Sequence, residues 1–217
     1  MADSASLSAL SIQPLTALAE EERMFREATR EFAEKEIGPH VDAMDREGVF
    51  RHELIEKFFE HGFMGLSIPE AYGGSGGTFF MAALAIEEFS RVDASAGVVI
   101  DVQNTLVSNA ILRWGTDDQK KQFLPRLAQD TVGAYALSEA GSGSDAFSLE
   151  TRASENGDQY VLNGRKLWIT NAKEAGLFII FATLNRELGY KGITAFLVDR
   201  STAGFTRSAR CVKVAQP

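Results

Sequence analysis

The chain has 217 residues, room for one large domain or two modest ones, and its 45% hydrophobic and 24% charged content is that of a globular protein with a real core. A formal net charge of −8 argues against general nucleic-acid binding, and the lone cysteine, Cys211, excludes an internal disulfide. No stretch reaches the ~18 apolar residues of a membrane span, and His40, His52 and His61 with Cys211 give no metal-ligand spacing.

Residues 1–16 are small and polar, lack the basic start and apolar stretch of a secretory signal, and read as a flexible leader. Residues 20–37 set Met24, Phe25, Ala28, Phe32 and Ile37 mainly on one helical stripe, with Glu20, Glu21 and Glu22 at the positive end of the dipole and Gly38-Pro39 ending it. A second helix is predicted over 51–60, with Leu54, Ile55, Phe58 and Phe59 inward, His52 and His61 on its surface, and Gly62 as its C-terminal cap. After a glycine-rich connection, 79–91 reads as a mostly apolar helix whose Glu87-Glu88 pair reads as a solvated face. Residues 95–114 read as a longer helix deep in a bundle. Thr116 to Gln119 form a capping box for the next helix, which Pro125 is expected to bend or end early.

The period changes after Gly133. Residues 135–137 read as a strand, and 150–153 and 160–162 flank the hairpin signal Asn156-Gly157. Asn163-Gly164 marks a turn before a strand over 166–170, and 177–184 and 193–199 read as two further strands. Helices followed by antiparallel strands give an α+β class: an all-α domain over 17–131 and an antiparallel β-barrel-like domain over 132–217.

Two glycine clusters invite a phosphate-binding reading. Neither the one at 72–77 nor GSGS at 141–144 is followed by the Lys-Ser/Thr pair of a P-loop, and each reads first as a plain turn. The second has Ser138, Ser142 and Ser144 in a loop whose N–H groups can converge on an anion. Trp168 and Thr170, two apart on the expected strand, would share a face and offer a platform to a flat, hydrogen-bonding ring; the plainer reading is a core tryptophan. No Ser/His/Asp or Cys/His set is present, and Cys211, near the end of the chain, is a poor nucleophile candidate.

The runs GLSIPEAYGGSGG (65–77), IEEFSRVDAS (86–95), GTDDQKKQFLPRLA (115–128), YALSEAGSGSD (135–145) and LNGRKLWITN (162–171) together resemble the acyl-CoA dehydrogenase family, most of all its short/branched-chain and short-chain members. The resemblance covers about residues 20–205 and implies an N-terminal helical domain, a middle β domain and a C-terminal four-helix domain. It implies FAD as cofactor, with Tyr135, Ala136, Leu137, Ser138, Glu139, Ala140, Gly141, Ser142, Gly143 and Ser144 around the pyrimidine edge and diphosphate. Trp168, Ile169 and Thr170 would flank the ring, Ser138 near N1/O2 and Thr170 near N5, while Ser144 and Tyr190 would touch the substrate.

By that resemblance the reaction is α,β-dehydrogenation of a short or branched-chain acyl-CoA to the 2-enoyl-CoA. An electron-transfer flavoprotein would be the electron acceptor, in a homotetramer of the bacterial cytoplasm, or of the mitochondrial matrix if eukaryotic. The family's base is a glutamate of the C-terminal domain. No such domain follows here, since SARCVKVAQP (208–217) closes the sequence, so the chain by itself is expected to be inactive, with no catalytic residue among its own. Glu139 is a weak substitute, being part of the cofactor loop. A non-catalytic FAD or acyl-CoA binding fragment needing a helical partner is one alternative. A same-fold flavin oxidase or monooxygenase is another.

Overall fold

The computed structural model describes residues 17–206; the leader (1–16), Cys211 and the 208–217 ending lie outside the described residues. Seven α-helices and then five strands follow one another among the described residues. The helical part is α1 (Glu20–Phe32), α2 (Val41–Glu47), α3 (His52–Glu60), α4 (Phe79–Val92), α5 (Ala94–Asp101), α6 (Asn109–Trp114) and α7 (Asp117–Gln129). The strands are β1 (Gly133–Ala136), β2 (Arg152–Asn156), β3 (Gln159–Asn163), β4 (Leu177–Thr183) and β5 (Ile193–Asp199). No helix among the described residues is long and apolar enough to cross a membrane.

The core of the helical part is aromatic. Phe32 of α1 meets Phe89 of α4 in a stacked pair at 5.6 Å and Phe63 at 4.9 Å, and Phe58 of α3 closes on Phe89 at 5.1 Å. Rings at such spacings add attraction beyond the area they bury. Gly38-Pro39 does not end the helical path as expected. The chain widens into a π turn (Ala33–Ile37), tightens through a 3-10 turn (Gly38–His40), then continues as α2. Proline is tolerated because it opens the new turn, where its missing N–H costs no bond. Pro125 likewise does not end α7, which runs on to Gln129. Phe123, Leu124, Leu127 and Ala128 are buried on both sides of it, and their burial outweighs the ~3 kcal/mol of an interior proline.

Glu88 is a further correction. Glu87 is exposed, but Glu88 is buried, taking both its oxygens to Arg30 at 2.8 Å and one to Arg91 at 3.2 Å. The hydrogen bond from Arg30 holds its carboxyl below the usual range.

The sheet is mixed, where antiparallel pairing throughout was expected. β1 pairs parallel with β4, β4 antiparallel with β5, β2 antiparallel with β3, and β2 meets β4 in parallel at Arg152 and Thr183. β4 has partners on both edges and is buried nearly throughout, which is why its sequence is a continuous apolar run instead of an alternating one. The 193–199 strand matches its expected bounds, and the hairpin turn falls at Gly157-Asp158, between β2 and β3.

The helices meet the sheet through one irregular segment. α5 and α6 are a single helical path interrupted by a π segment (Val102–Ser108). In it the buried Gln103 donates from Nε2 to the carbonyls of Leu127 (2.8 Å) and Thr131 (3.0 Å), and its Oε1 accepts from the N–H of Gly133 (2.7 Å). Next to it Asn104 donates to Phe63 and Ile100 and accepts from Ser67. Replacing Gln103→Leu strands three backbone groups, two of them buried, so urea unfolding should show a loss of about 3 kcal/mol. An unchanged midpoint would show that the carboxamide is not the joint described.

Candidate functional site

The two glycine clusters differ in where their N–H groups go. In the first, Gly73 donates to Glu70, Gly74 to Pro69, Ser75 to Gly65, Gly76 to Ile68 and Gly77 to Leu66. The segment is folded back on the chain just before it, with no donor left for an anion, so the plain-turn reading holds. In the second, Glu139 and Ser142 exchange N–H···O bonds at 2.9 and 3.2 Å, closing a tight turn. The N–H groups of Ala140, Gly141, Gly143 and Ser144 have no acceptor among the described residues. A Cβ placed on Gly141 or Gly143 would meet nothing within 4 Å, so the backbone there is bare towards open space. Successive free N–H groups on such a turn form an anion-binding concavity.

Of the three hydroxyls in this stretch, Ser142's is spent. Its side chain is buried and donates to the carbonyl of Asp145 at 2.9 Å. Ser138 is half-buried and Ser144 exposed. Tyr135 and Ala136 belong to β1 and face the core. The Tyr135 ring lies 4.9 Å from Phe181, and burial pushes its phenol up. Leu137 contributes its carbonyl to the turn, as an acceptor from Lys166.

Glu139 is the fixed point of the loop. Its carboxylate accepts from the N–H of Glu150 (2.6 Å), the N–H of Thr151 (3.0 Å), the Thr151 hydroxyl and Lys166 Nζ (2.7 Å). Lys166 Nζ also donates to Leu137 O at 3.0 Å, and Leu167 N–H to Ser138 O at 2.9 Å. Both charged side chains of this pair are less than a tenth exposed. Burial pushes the Glu139 carboxyl up, but its donors together outweigh burial and hold it below the usual range. Burial lowers Lys166, against the pull of Glu139. A buried carboxylate held by four donors, three of them on one oxygen, is a brace for the loop and poorly placed to take a proton from a substrate.

That brace brings the second predicted segment beside the first, although not as predicted. Residues 164–170 are not a strand, so Trp168 and Thr170 do not share a strand face. Trp168 sits at φ 60, a left-handed conformation that costs a non-glycine residue about 1–2 kcal/mol. The turn is held by Ile169, packed on the core, and by Asn171, whose Nδ2 donates to Val99 O at 3.2 Å and Gly133 O at 3.3 Å. The expected core tryptophan is instead 61% exposed. The strand reading missed this because no period-2 pattern survives a left-handed residue.

Tyr190 lies on a 3-10 turn (Arg186–Gly192) outside these two segments. Its exposed ring is 5.6 Å from that of Phe147, on the short turn (Ala146–Ser148) that follows Ser144. Phe147, which the sequence reading did not single out, thus links Tyr190 to the end of the loop. Lys166 was also missed, since a lysine in a strand-like run carries no sign of burial. The loop, bare of side chains at Gly141 and Gly143, and the exposed indole beside it fit a flat ring carrying an anionic tail.

Comparison with known proteins gives the family. The family model "Acyl-CoA dehydrogenase, N-terminal domain" matches residues 19–131, and "Acyl-CoA dehydrogenase, middle domain" matches 134–215. The chain belongs to the acyl-CoA dehydrogenase family. It is 43% identical over 193 residues to the short/branched chain specific acyl-CoA dehydrogenase, mitochondrial, of Bos taurus, covering 89% of this chain and 45% of that protein. The structure of butyryl-CoA dehydrogenase from Megasphaera elsdenii superposes with a TM-score of 0.84 at 36% identity, covering 88% of this chain and 51% of that one. A glutaryl-CoA dehydrogenase from Mycobacterium smegmatis in complex with FADH2 superposes with a TM-score of 0.80 at 32% identity, covering 87% and 48%. The chain therefore spans about half the length of the relatives it matches.

Replacing Lys166→Met leaves the buried Glu139 carboxylate without the one cation paired with it among the described residues. Thermal or urea unfolding should report a loss of about 3 kcal/mol. Because the folded carboxyl is depressed, its stabilisation is full above the unfolded value of ~4.3 and is lost as pH falls through the lower folded value. Glu139→Gln should flatten that acid limb, and an acid limb identical to wild type would contradict the assignment.

Proposed function

We propose that this chain is the flavin-binding and part of the acyl-CoA-binding portion of an FAD-dependent dehydrogenase acting on short or branched-chain acyl-CoA. The observation that carries the reading is the pairing of four unclaimed N–H groups at Ala140, Gly141, Gly143 and Ser144 with an exposed Trp168 on a pinned turn. The relative bound to FADH2 and the short/branched chain relative support the choice of cofactor and substrate class.

In this reading residues 17–131 and 132–217 are its two domains. Backbone N–H groups of the glycine turn hold the diphosphate, and Ser138 donates to the pyrimidine edge of the ring. Trp168 and Thr170 lie against the ring, and Ile169 anchors their turn in the core. Ser144 and Tyr190 meet the substrate, with Phe147 supporting the Tyr190 ring. FAD, when bound, supplies the acceptor for the β-hydride. Fixed donors beside it stabilise the charge that develops, with no reorganisation at the moment of reaction. Glu139 is consumed by its donors, so the α-proton goes to a carboxylate that the family resemblance assigns to a following helical domain. An electron-transfer flavoprotein as acceptor and a homotetrameric assembly complete the proposal.

The test is the visible spectrum of the purified chain after incubation with FAD and desalting. Flavin bands near stoichiometric level are expected, reduced at least about tenfold in affinity by Thr170→Val with Ser138→Ala, which together remove two side-chain donors. A colourless wild-type protein would overturn the reading. In a dye-reduction assay with butyryl-CoA the 217-residue chain should turn over little by itself, and rapid reduction would show that the base lies among its own residues.

A further inference from the structure

We propose that the outer face of the β2–β3 hairpin is a binding site for a phosphate or diphosphate group, built on Arg152 and Arg165. Arg152 pairs across the hairpin with Asn163. Ser154 lies two residues on, so strand alternation turns it to the same side as Arg152 and Asn163, and Arg165, just past the end of β3, lines the same depression. Ala153, on the opposite face of β2, is buried.

The chain is drawn in tightly at this point. A Cβ on Gly164 would lie 2.6 Å from Thr151 Cα, so only glycine lets the segment carrying Arg165 close against the start of β2. These residues line a depression of about 790 Å³ together with Ala140 and Gly141, whose N–H groups are unclaimed.

The charge balance of that depression decides its ligand. Its two acids are already paired, Glu139 with Lys166 at 2.7 Å and Glu150 with Arg186 at 3.6 Å. Arg152 and Arg165 form no ion pair with any described residue, whereas Arg30, Arg51, Arg91 and Arg126 all do. The depression is therefore locally positive in a chain of net charge −8. Two guanidinium forks, a hydroxyl, a carboxamide and bare backbone N–H groups are donors suited to phosphate oxygens. The volume is that of a small-molecule site.

The site is carried by the hairpin arginines, and of the groups assigned to the flavin it shares only the N–H groups of Ala140 and Gly141. Inorganic pyrophosphate is titrated calorimetrically into the chain at low salt, with wild type compared against the exposed double variant Arg152→Gln/Arg165→Gln. Circular dichroism and the unfolding midpoint check that the variant is folded. Saturable one-site binding is expected, weakened about tenfold or more in the variant and by added salt. Competition by FAD would assign the phosphate to the dinucleotide, and competition by coenzyme A to the thioester carrier. Competition by neither would assign the site to a separate phosphorylated metabolite. Non-saturable binding, or equal binding by a folded variant, overturns the proposal. Flavin retention, read from the visible spectrum of the same preparations, reports separately on the function proposed above.

Discussion

The carboxamide of Gln103 satisfies both ends of the connection between α7 and β1, donating to Leu127 O and Thr131 O and accepting from Gly133 N–H. A short link between a helix and a buried strand leaves backbone groups that water cannot reach, and each left unmade costs about 1–3 kcal/mol. One side chain answers three of them. It does so from a π segment, whose extra residue per turn offsets it from the regular helical stripe. The direction in which β1 leaves the helical body, and so the position of the loop that follows, depends on this joint.

Downstream, the order is set by charge. The loop after β1 has little apolar side chain to pack, and burial alone would leave it loose. Glu139 and Lys166 replace packing with directed bonds that tie together the turn, the approach to β2 and the segment after β3. A buried ion pair is no cheap source of stability, because both charges lose their water. Its use here is geometric. It fixes Leu137 and Ser138 against Leu167, and it leaves the N–H groups of Ala140, Gly141, Gly143 and Ser144 without acceptors among the described residues. A site that takes an anion needs donors without partners, and a rigid frame keeps them unsatisfied without collapse.

The contrast between the two glycine clusters bears on how motifs are read. Both are glycine-rich, and both lie between ordered elements. The 72–77 cluster folds back on the residues just before it and spends its donors there, while the 141–144 cluster is held away from its neighbours. Composition is the same in kind; the difference is whether a nearby backbone offers acceptors. Likewise Glu87 and Glu88 are identical neighbours in sequence, and only the arginines of α1 and α4 distinguish the buried one.

Sequence by itself determined the class of this protein. The 3.6-residue stripes, the capping box at Thr116 and the change of period after Gly133 locate most helices and the helix-to-sheet order, because these are local properties of the chain. The spaced motifs also identify the family. Tertiary structure alone decided the parallel partners of β4, the passage of the chain through Pro39 and Pro125, the burial of Glu88, and the left-handed turn at Trp168. Each is settled by contacts between residues far apart in sequence. Burial on both sides of a proline, or a carbonyl brought to Asn171, overrides the local preference from which a sequence reading starts.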